Sequence, residues 1–81
     1  MHPMIELPKV KKVLYESVWV NGRSRMTTKV HLKGGRVMTL AGSLSREEAV
    51  YNAQYQQGLE SGWGEAEARA YAEGGGHVPA R

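Results

Sequence analysis

Hydrophobic and polar positions alternate most clearly between Met26 and Lys33. One set of alternating positions is mostly apolar, and it consists of Met26, Thr28, Val30 and Leu32. The other set is polar and basic, and it consists of Thr27, Lys29, His31 and Lys33. Because side chains alternate with period 2 along an extended chain, the pattern predicts a β-strand with one apolar face and one basic face.

A second strand is predicted from Val10 to Val20, a segment rich in β-branched and aromatic residues. Asn21-Gly22 follows it, and this dipeptide is typical of a type I′ hairpin turn, in which both central residues need a positive φ. A two-residue loop pairs Val20 with Arg23, and counting back gives the pairs Ser17/Met26, Tyr15/Thr28 and Val13/Val30. The apolar faces then coincide, so the turn and the pattern predict the same register.

The next reversal is predicted at Gly34-Gly35, before a third strand from Arg36 to Ala41. A two-residue loop would place Met38 on the basic face. A three-residue loop, with Gly35 in the left-handed conformation, pairs Val30 with Met38 and keeps the apolar side chains together. We therefore expect the three-residue loop.

Two helices are predicted after the strands. Ser45-Arg46-Glu47-Glu48 matches a capping box, which predicts a helix from Arg46 to about Gln57 or Glu60. Glycines around Trp63 interrupt it, and an alanine-rich segment from Glu65 to Glu73 predicts a second helix. Gly74-Gly75-Gly76 then ends the regular structure.

These elements predict an α+β fold, in which a three-stranded antiparallel β-meander is followed by one or two α-helices packed on one sheet face (β-β-β-α-α). We divide the chain into an extended N-terminal arm (1–9), a single α+β domain (10–73) and a flexible C-terminal tail (74–81). The side chains predicted to form the core are Val13, Tyr15, Trp19, Met26, Val30, Leu32, Met38, Leu40, Val50 and Ala53.

The 81-residue chain has a net charge of +3, which conceals an asymmetry. Residues 1–42 contain eight Lys or Arg against two Glu, whereas residues 43–81 contain three Arg against six Glu. A basic first half suggests a surface that faces a polyanion, although ordinary solubilising charge explains the excess equally well.

Catalytic and metal-binding chemistry find little support in the sequence. The chain has neither Asp nor Cys, and no two carboxyl groups fall in a pattern that would form a general acid/base pair. His2, His31 and His77 are far apart and lack the spacing of metal ligands. We therefore expect a protein that is not an enzyme and that has no cofactor or metal site. No apolar run approaches the ~18 residues of a membrane span, so we expect a cytoplasmic protein without membrane contact.

The best candidate site is the basic face of the predicted sheet. Its basic residues are Lys12, Arg23, Arg25, Lys29, His31 and Lys33, and the lysines and arginines among them can neutralise several phosphates at once. Exposed polar residues on an open sheet face are the simpler explanation. However, Val18, Val20 and Val37 share this face as candidate interface anchors, and cations mixed with apolar side chains are typical of a docking surface. Trp63 is a further candidate anchor, or else it folds back to close the core.

Three strands followed by a helix that opens with Ser45-Arg46-Glu47-Glu48-Ala49 resemble the arm-type DNA-binding domains of phage integrases and the plant AP2 domain. The likeness covers residues 13–57 and includes Trp19-Val20-Asn21-Gly22-Arg23. It implies that Arg23, Arg25 and Lys29 contact DNA from the sheet. The size, the hairpin and the glycine-broken helix pair also resemble the layout of small phage-encoded inhibitors, including some anti-CRISPR proteins.

We therefore expect a non-catalytic binding module that acts through the basic sheet face. One hypothesis is a phage-type, anti-CRISPR-like inhibitor or regulator of a nucleic-acid-handling complex. A second is direct binding of DNA or RNA through phosphate contacts from the sheet. A third is an oligomerising structural subunit, for instance a homodimer, because apolar residues lie on the same face.

Overall fold

The computed structural model describes residues 6–77. Three antiparallel strands are followed by two helices, which confirms the predicted β-β-β-α-α order. The strands are β1 (Val10–Val20), β2 (Arg23–Leu32) and β3 (Val37–Ala41), and the helices are α1 (Arg46–Glu60) and α2 (Glu65–Glu73). The spatial order of the strands is β1-β2-β3, so β2 is the central strand of a meander.

The β1–β2 hairpin has the register that its turn predicts. Asn21 and Gly22 have φ values of 51° and 75°, as a type I′ turn requires. Val20 pairs with Arg23, and the pairing continues without interruption to Val13 and Val30. One irregularity follows at Lys11, where a bulge leaves Val10 opposite Leu32 and packed against the core.

The second reversal is the three-residue loop expected from the sequence. Val30 pairs with Met38, and the Leu32 amide donates to the Arg36 carbonyl at 2.8 Å. Gly35 has a φ of 100°, in the left-handed region that side chains other than glycine disfavour. This loop turns Met38 into the core, where it is 8% exposed.

The loop between β3 and α1 is fixed to the sheet by two hydroxyl groups. Thr28 is fully buried, and its Oγ1 donates to the Gly42 carbonyl at 2.8 Å and accepts from the Leu44 amide at 3.0 Å. The Tyr15 hydroxyl donates to the Leu44 carbonyl at 2.7 Å. The next residue, Ser45, caps α1 by accepting from the Glu48 amide at 3.1 Å. Helix α1 therefore begins at a fixed level of the hairpin, beside Thr28.

The main core lies between α1 and the half of the sheet nearest the second reversal. Its fully buried members come from the central strand, from β3 and from one face of α1; they are Val30, Leu32, Met38, Ala49 and Ala53. Alanines on the inner face of α1 leave room for the helix to lie close to the strands. Val10, Val13, Leu40 and Leu44 pack around this cluster and are partly buried.

A second, smaller core joins the two helices. Trp63 and Tyr71 meet edge to face, with their ring centroids 5.1 Å apart. Gly58 lies under this pair, and a Cβ there would come within 2.9 Å of Ala68 Cβ and 3.0 Å of the Trp63 ring. Close contact between the helices therefore depends on the absence of a side chain at Gly58. In the same core, burial raises the pKa of the Tyr71 hydroxyl above its ordinary value.

The segment before β1 is attached to both helices. Gln57 Nε2 donates to the Pro8 carbonyl at 3.1 Å, and the Tyr71 hydroxyl donates to the Leu7 carbonyl at 3.4 Å. Lys9 Nζ donates to the Gly76 carbonyl, which ties this segment to the end of α2. Residues 7–9 of the predicted arm thus lie against the domain, and residues 1–5 of the arm and 78–81 of the predicted tail fall outside the described residues.

The predicted core was wrong at three hairpin positions. Tyr15, Trp19 and Met26 face the same side as the core but are 48%, 76% and 43% exposed. Helix α1 starts beside Thr28, so the hairpin beyond that level has no helix over it. We call this bare segment, Ser17 to Met26, the hairpin arm. It gives the protein an elongated shape of 49 × 21 × 20 Å.

Replacing Gly58 with alanine tests the helix contact. Alanine favours an isolated helix by about 1 kcal/mol, but overpacking costs about 1–3 kcal/mol. We expect Gly58→Ala to lower the free energy of unfolding by about 1–2 kcal/mol in urea denaturation. Gln56→Ala, an exposed change in the same helix, is the control and should stay within about 0.5 kcal/mol of wild type. A more stable Gly58→Ala protein would contradict the packing described.

Candidate binding surface on the hairpin

The sheet has one face packed on helix α1 and one open face. Side chains alternate along the strands, so the face opposite Val30 and Met38 carries the even-numbered residues of β1 from Lys12 onward and the odd-numbered residues of β2 and β3. Leu14, Val20 and Val37 on this face are 46%, 42% and 41% exposed. We call it the outer face.

Five of the six basic residues predicted for the site lie on the outer face. Arg23, Arg25, Lys29 and His31 follow one another along β2, and Lys12 lies beside His31 on β1. At about 3.4 Å per residue, this line of side chains is about 27 Å long. We call these five residues the basic stripe. The sixth cation, Lys33, lies just beyond the end of β2, and its amide donates to the Lys9 carbonyl at 2.9 Å.

No residue of the basic stripe forms an ion pair with a carboxylate of residues 6–77. Within residues 6–77, the ion pairs are Lys9–Glu6 and Arg36–Glu60, neither of which involves the stripe. Lys29 Nζ has a weak contact with Thr39 Oγ1 at 3.4 Å. The stripe can therefore offer its charges to a partner without first breaking an ion pair.

Arg36 shows the contrasting situation. Its guanidinium donates two hydrogen bonds to the Glu60 carboxylate, at 2.8 and 2.9 Å, which join the start of β3 to the end of α1. These hydrogen bonds hold the pKa of the Glu60 carboxyl below its ordinary value and raise the pKa of Arg36. Arg36 is thus a structural cation and does not belong to the candidate binding surface.

Among the strand residues of the outer face, all of which are described, Glu16 is the one acidic side chain. It lies on β1 opposite Thr27, between Leu14 and Val18. An unpaired carboxylate among cations weakens attraction for a polyanion. Its position therefore calls for an explanation beyond phosphate binding.

Of the predicted apolar anchors on the strands, Val20 and Val37 are exposed and Val18 is half-buried. Val18 and Val20 are cross-strand neighbours of Arg25 and Arg23, so each arginine of the hairpin arm lies beside a valine. A shallow depression of about 450 Å³ begins here and runs to Ala41, where β3 ends. The outer face of the hairpin arm thus combines cations with small apolar side chains.

The structure places Trp63 in the core, where it is 6% exposed, and so removes it from the accessible anchors. Sequence reasoning missed the exposure of Trp19, because its alternation matches that of the core residues. Element length carries the missing signal. An eleven-residue strand is about 37 Å long, whereas a fifteen-residue helix is about 22 Å long and cannot cover it.

Other kinds of site are not seen in the described residues. Residues 6–77 contain no group of three or more His or Glu side chains placed to hold a metal ion. None of the helices in the same range is long and apolar enough to cross a membrane. Comparison of the chain with protein-family models, curated proteins and solved structures gives no match. We therefore infer the function from the geometry of the hairpin.

The two tryptophans allow the exposure of the hairpin arm to be measured. We expect Trp63→Phe, which keeps only Trp19, to emit at longer wavelength and to be quenched strongly by acrylamide. Trp19→Phe, which keeps the buried Trp63, should resist quenching and stay within about 0.5 kcal/mol of wild-type stability. Equal quenching of the two variants, with folding verified by circular dichroism, would contradict a bare arm.

Proposed function

We propose that this protein is a non-catalytic binding module that contacts nucleic acid through the basic stripe and the hairpin arm. One observation carries the proposal: a two-stranded ribbon extends beyond the third strand and the helices, and its two arginines form no ion pair within residues 6–77. Arg23 and Arg25 lie on it two residues apart, and the hairpin arm, Ser17–Met26, contains no acidic residue. Charge and access thus favour the same part of the molecule.

The dimensions of the hairpin arm suit a nucleic-acid groove. It contains four residue pairs beyond the end of the β3 pairing, which corresponds to about 14 Å plus the turn. The major groove of B-DNA is about 12 Å wide and 8.5 Å deep, and it accepts a two-stranded ribbon. A ribbon without a third strand or a helix over it can enter such a groove, whereas the part of the sheet that is covered by α1 cannot.

The cations divide into two roles under this proposal. Lys12 and Lys29 lie toward the base of the hairpin, where a bound duplex would present its phosphates. Arg23 and Arg25 lie near the tip, within reach of base edges, and arginine forms bidentate hydrogen bonds with guanine. Phosphate contacts supply most of the affinity and base contacts supply specificity.

Charge reversal on the stripe tests this function. We expect the double variant Arg25→Glu/Lys29→Glu to bind duplex or single-stranded nucleic acid at least about tenfold more weakly at low salt. The slope of log affinity against log salt should fall by about one for each phosphate that the variant no longer neutralises. Fluorescence anisotropy with labelled oligonucleotides over a range of salt concentrations measures both quantities.

The control is Arg46→Glu/Arg69→Glu, which changes the net charge equally but on the helices. It should retain most of the wild-type affinity, because these arginines lie away from the outer face. Equal weakening by both double variants would assign binding to net charge alone. Absence of wild-type binding to every duplex and single strand at low salt would refute the proposal.

A second candidate function is inhibition or regulation of a protein complex that handles nucleic acid. The exposed apolar side chains favour it, since Trp19 is 76% exposed and Met26 is 43% exposed on the inner side of the hairpin arm. Phosphate binding needs neither side chain. A large exposed tryptophan is typical of residues that dominate protein interfaces.

Affinity capture separates the two candidates. Under the inhibitor hypothesis, tagged protein retains a defined complex from a lysate after nuclease treatment, and Trp19→Ala loses it. The matched control Trp63→Phe tests whether loss of any tryptophan has the same effect. Capture that disappears on nuclease treatment would contradict the inhibitor hypothesis and support direct nucleic-acid binding.

A further inference from the structure

Strand β1 is an edge strand of the sheet formed by residues 6–77. It pairs with β2 on one side, and within residues 6–77 no strand pairs with the other side. Eleven residues thus leave alternate backbone amides and carbonyls without a strand partner. Leu14 and Tyr15, near the middle of this edge, are 46% and 48% exposed.

The hairpin turn determines which backbone groups face the free edge. In a two-residue hairpin, the residues flanking the turn exchange hydrogen bonds, so Val20 and every second residue before it bond to β2. The intervening residues, such as Val13 and Tyr15, point their amides and carbonyls outward. Met26, the β2 partner of Ser17, supports this assignment. Its carbonyl accepts from the Gly42 amide at 3.1 Å and therefore points away from β1.

The sequence of the free edge is complementary to itself in the antiparallel sense. Lys12 and Glu16 lie two positions either side of Leu14, and all three point to the outer face. Lys12 and Glu16 of one chain are about 14 Å apart along the strand and cannot pair with each other. In an antiparallel copy aligned at Leu14, however, each lysine lies directly opposite a glutamate.

We propose that β1 pairs with β1 of a second copy across a two-fold axis at Leu14. In this arrangement Leu14 faces Leu14, Lys12 faces Glu16 at both ends, and Val13 faces Tyr15 on the inner side. Both Val13/Tyr15 pairs exchange backbone hydrogen bonds, which gives four bonds across the axis. A two-fold interface requires this reciprocity, in which residue i meets j and j meets i.

This arrangement explains the acidic residue on the outer face. Glu16 has no partner among residues 6–77, and the second copy supplies Lys12. Lysines on an edge strand commonly discourage pairing, but in this register lysine meets glutamate and not another lysine. The dimer has a continuous six-stranded sheet, with the two hairpin arms pointing in opposite directions. Lys12 of each basic stripe pairs with Glu16 of the other copy, and the four β2 residues of each stripe remain open on one face of the sheet. It does not depend on the nucleic-acid proposal.

Disulfide trapping tests the register directly, because the native chain has no cysteine. In the proposed dimer, the Cα atoms at position 14 are about 4.5 Å apart, within the range that a disulfide spans. We expect Leu14→Cys to form a covalent dimer rapidly under mild oxidation. The control Val18→Cys lies on the same face, but its Cα atoms would be about 27 Å apart, and it should remain monomeric.

Charge reversal provides an independent measurement by analytical ultracentrifugation. Lys12→Glu and Glu16→Lys each create two like-charge pairs, and we expect each to weaken dimerisation about tenfold or more. The double variant Lys12→Glu/Glu16→Lys exchanges the charges and should restore dimerisation. Lys33→Glu, outside the strand, controls for the change in net charge.

Several outcomes would overturn the proposal. They are a wild-type protein that stays monomeric up to millimolar concentration, a double variant that fails to recover, and trapping that is faster for Glu16→Cys than for Leu14→Cys. Circular dichroism shows whether each variant is folded, and the recovery of the double variant cannot arise from unfolding.

Discussion

The position at which helix α1 begins determines how much of the hairpin is covered. The Thr28 hydroxyl holds both the Gly42 carbonyl and the Leu44 amide, and Tyr15 holds the Leu44 carbonyl. These hydrogen bonds fix the loop that carries the helix cap at Ser45. A buried hydroxyl with satisfied donor and acceptor is costly to displace, so the covered part of the hairpin has a defined limit. Beyond that limit neither α1 nor α2 covers the hairpin, and this is the part to which we assign the proposed binding.

The hairpin therefore has two parts, one packed on the core and one exposed. Near the second reversal it supplies Val30 and Leu32 to a core completed by alanines of α1. Beyond Thr28 the same alternation continues, but its inner side presents Trp19 to solvent and its outer side presents arginines beside valines. A chain of 81 residues buries a smaller fraction of its surface on folding than a larger domain does, so each large apolar side chain left exposed is a loss to its small core. The large apolar side chains that are exposed on the hairpin arm are thus consistent with the binding role proposed for it.

Much of the fold could be predicted from local signals. Asn21-Gly22 determined the hairpin register, and Ser45 with Glu48 located the start of α1, because turn and cap chemistry act over a few residues. The candidate cations on β2 followed from that register. The length of hairpin that α1 covers could not be predicted in this way, since it depends on the long-range hydrogen bonds of Thr28. The burial of Trp63 likewise depends on how closely Gly58 lets the helices approach, which alternation alone does not show.

The outer face and the hairpin arm together form the proposed binding surface. Amide chemical shifts in a ¹⁵N-labelled sample, followed during titration with a DNA or RNA duplex, test this assignment most directly. We expect shifts concentrated in β1 and β2, from Lys12 to His31, with α1 and α2 nearly unchanged. Shifts centred on the helices, or none at any nucleic-acid concentration at low salt, would contradict it.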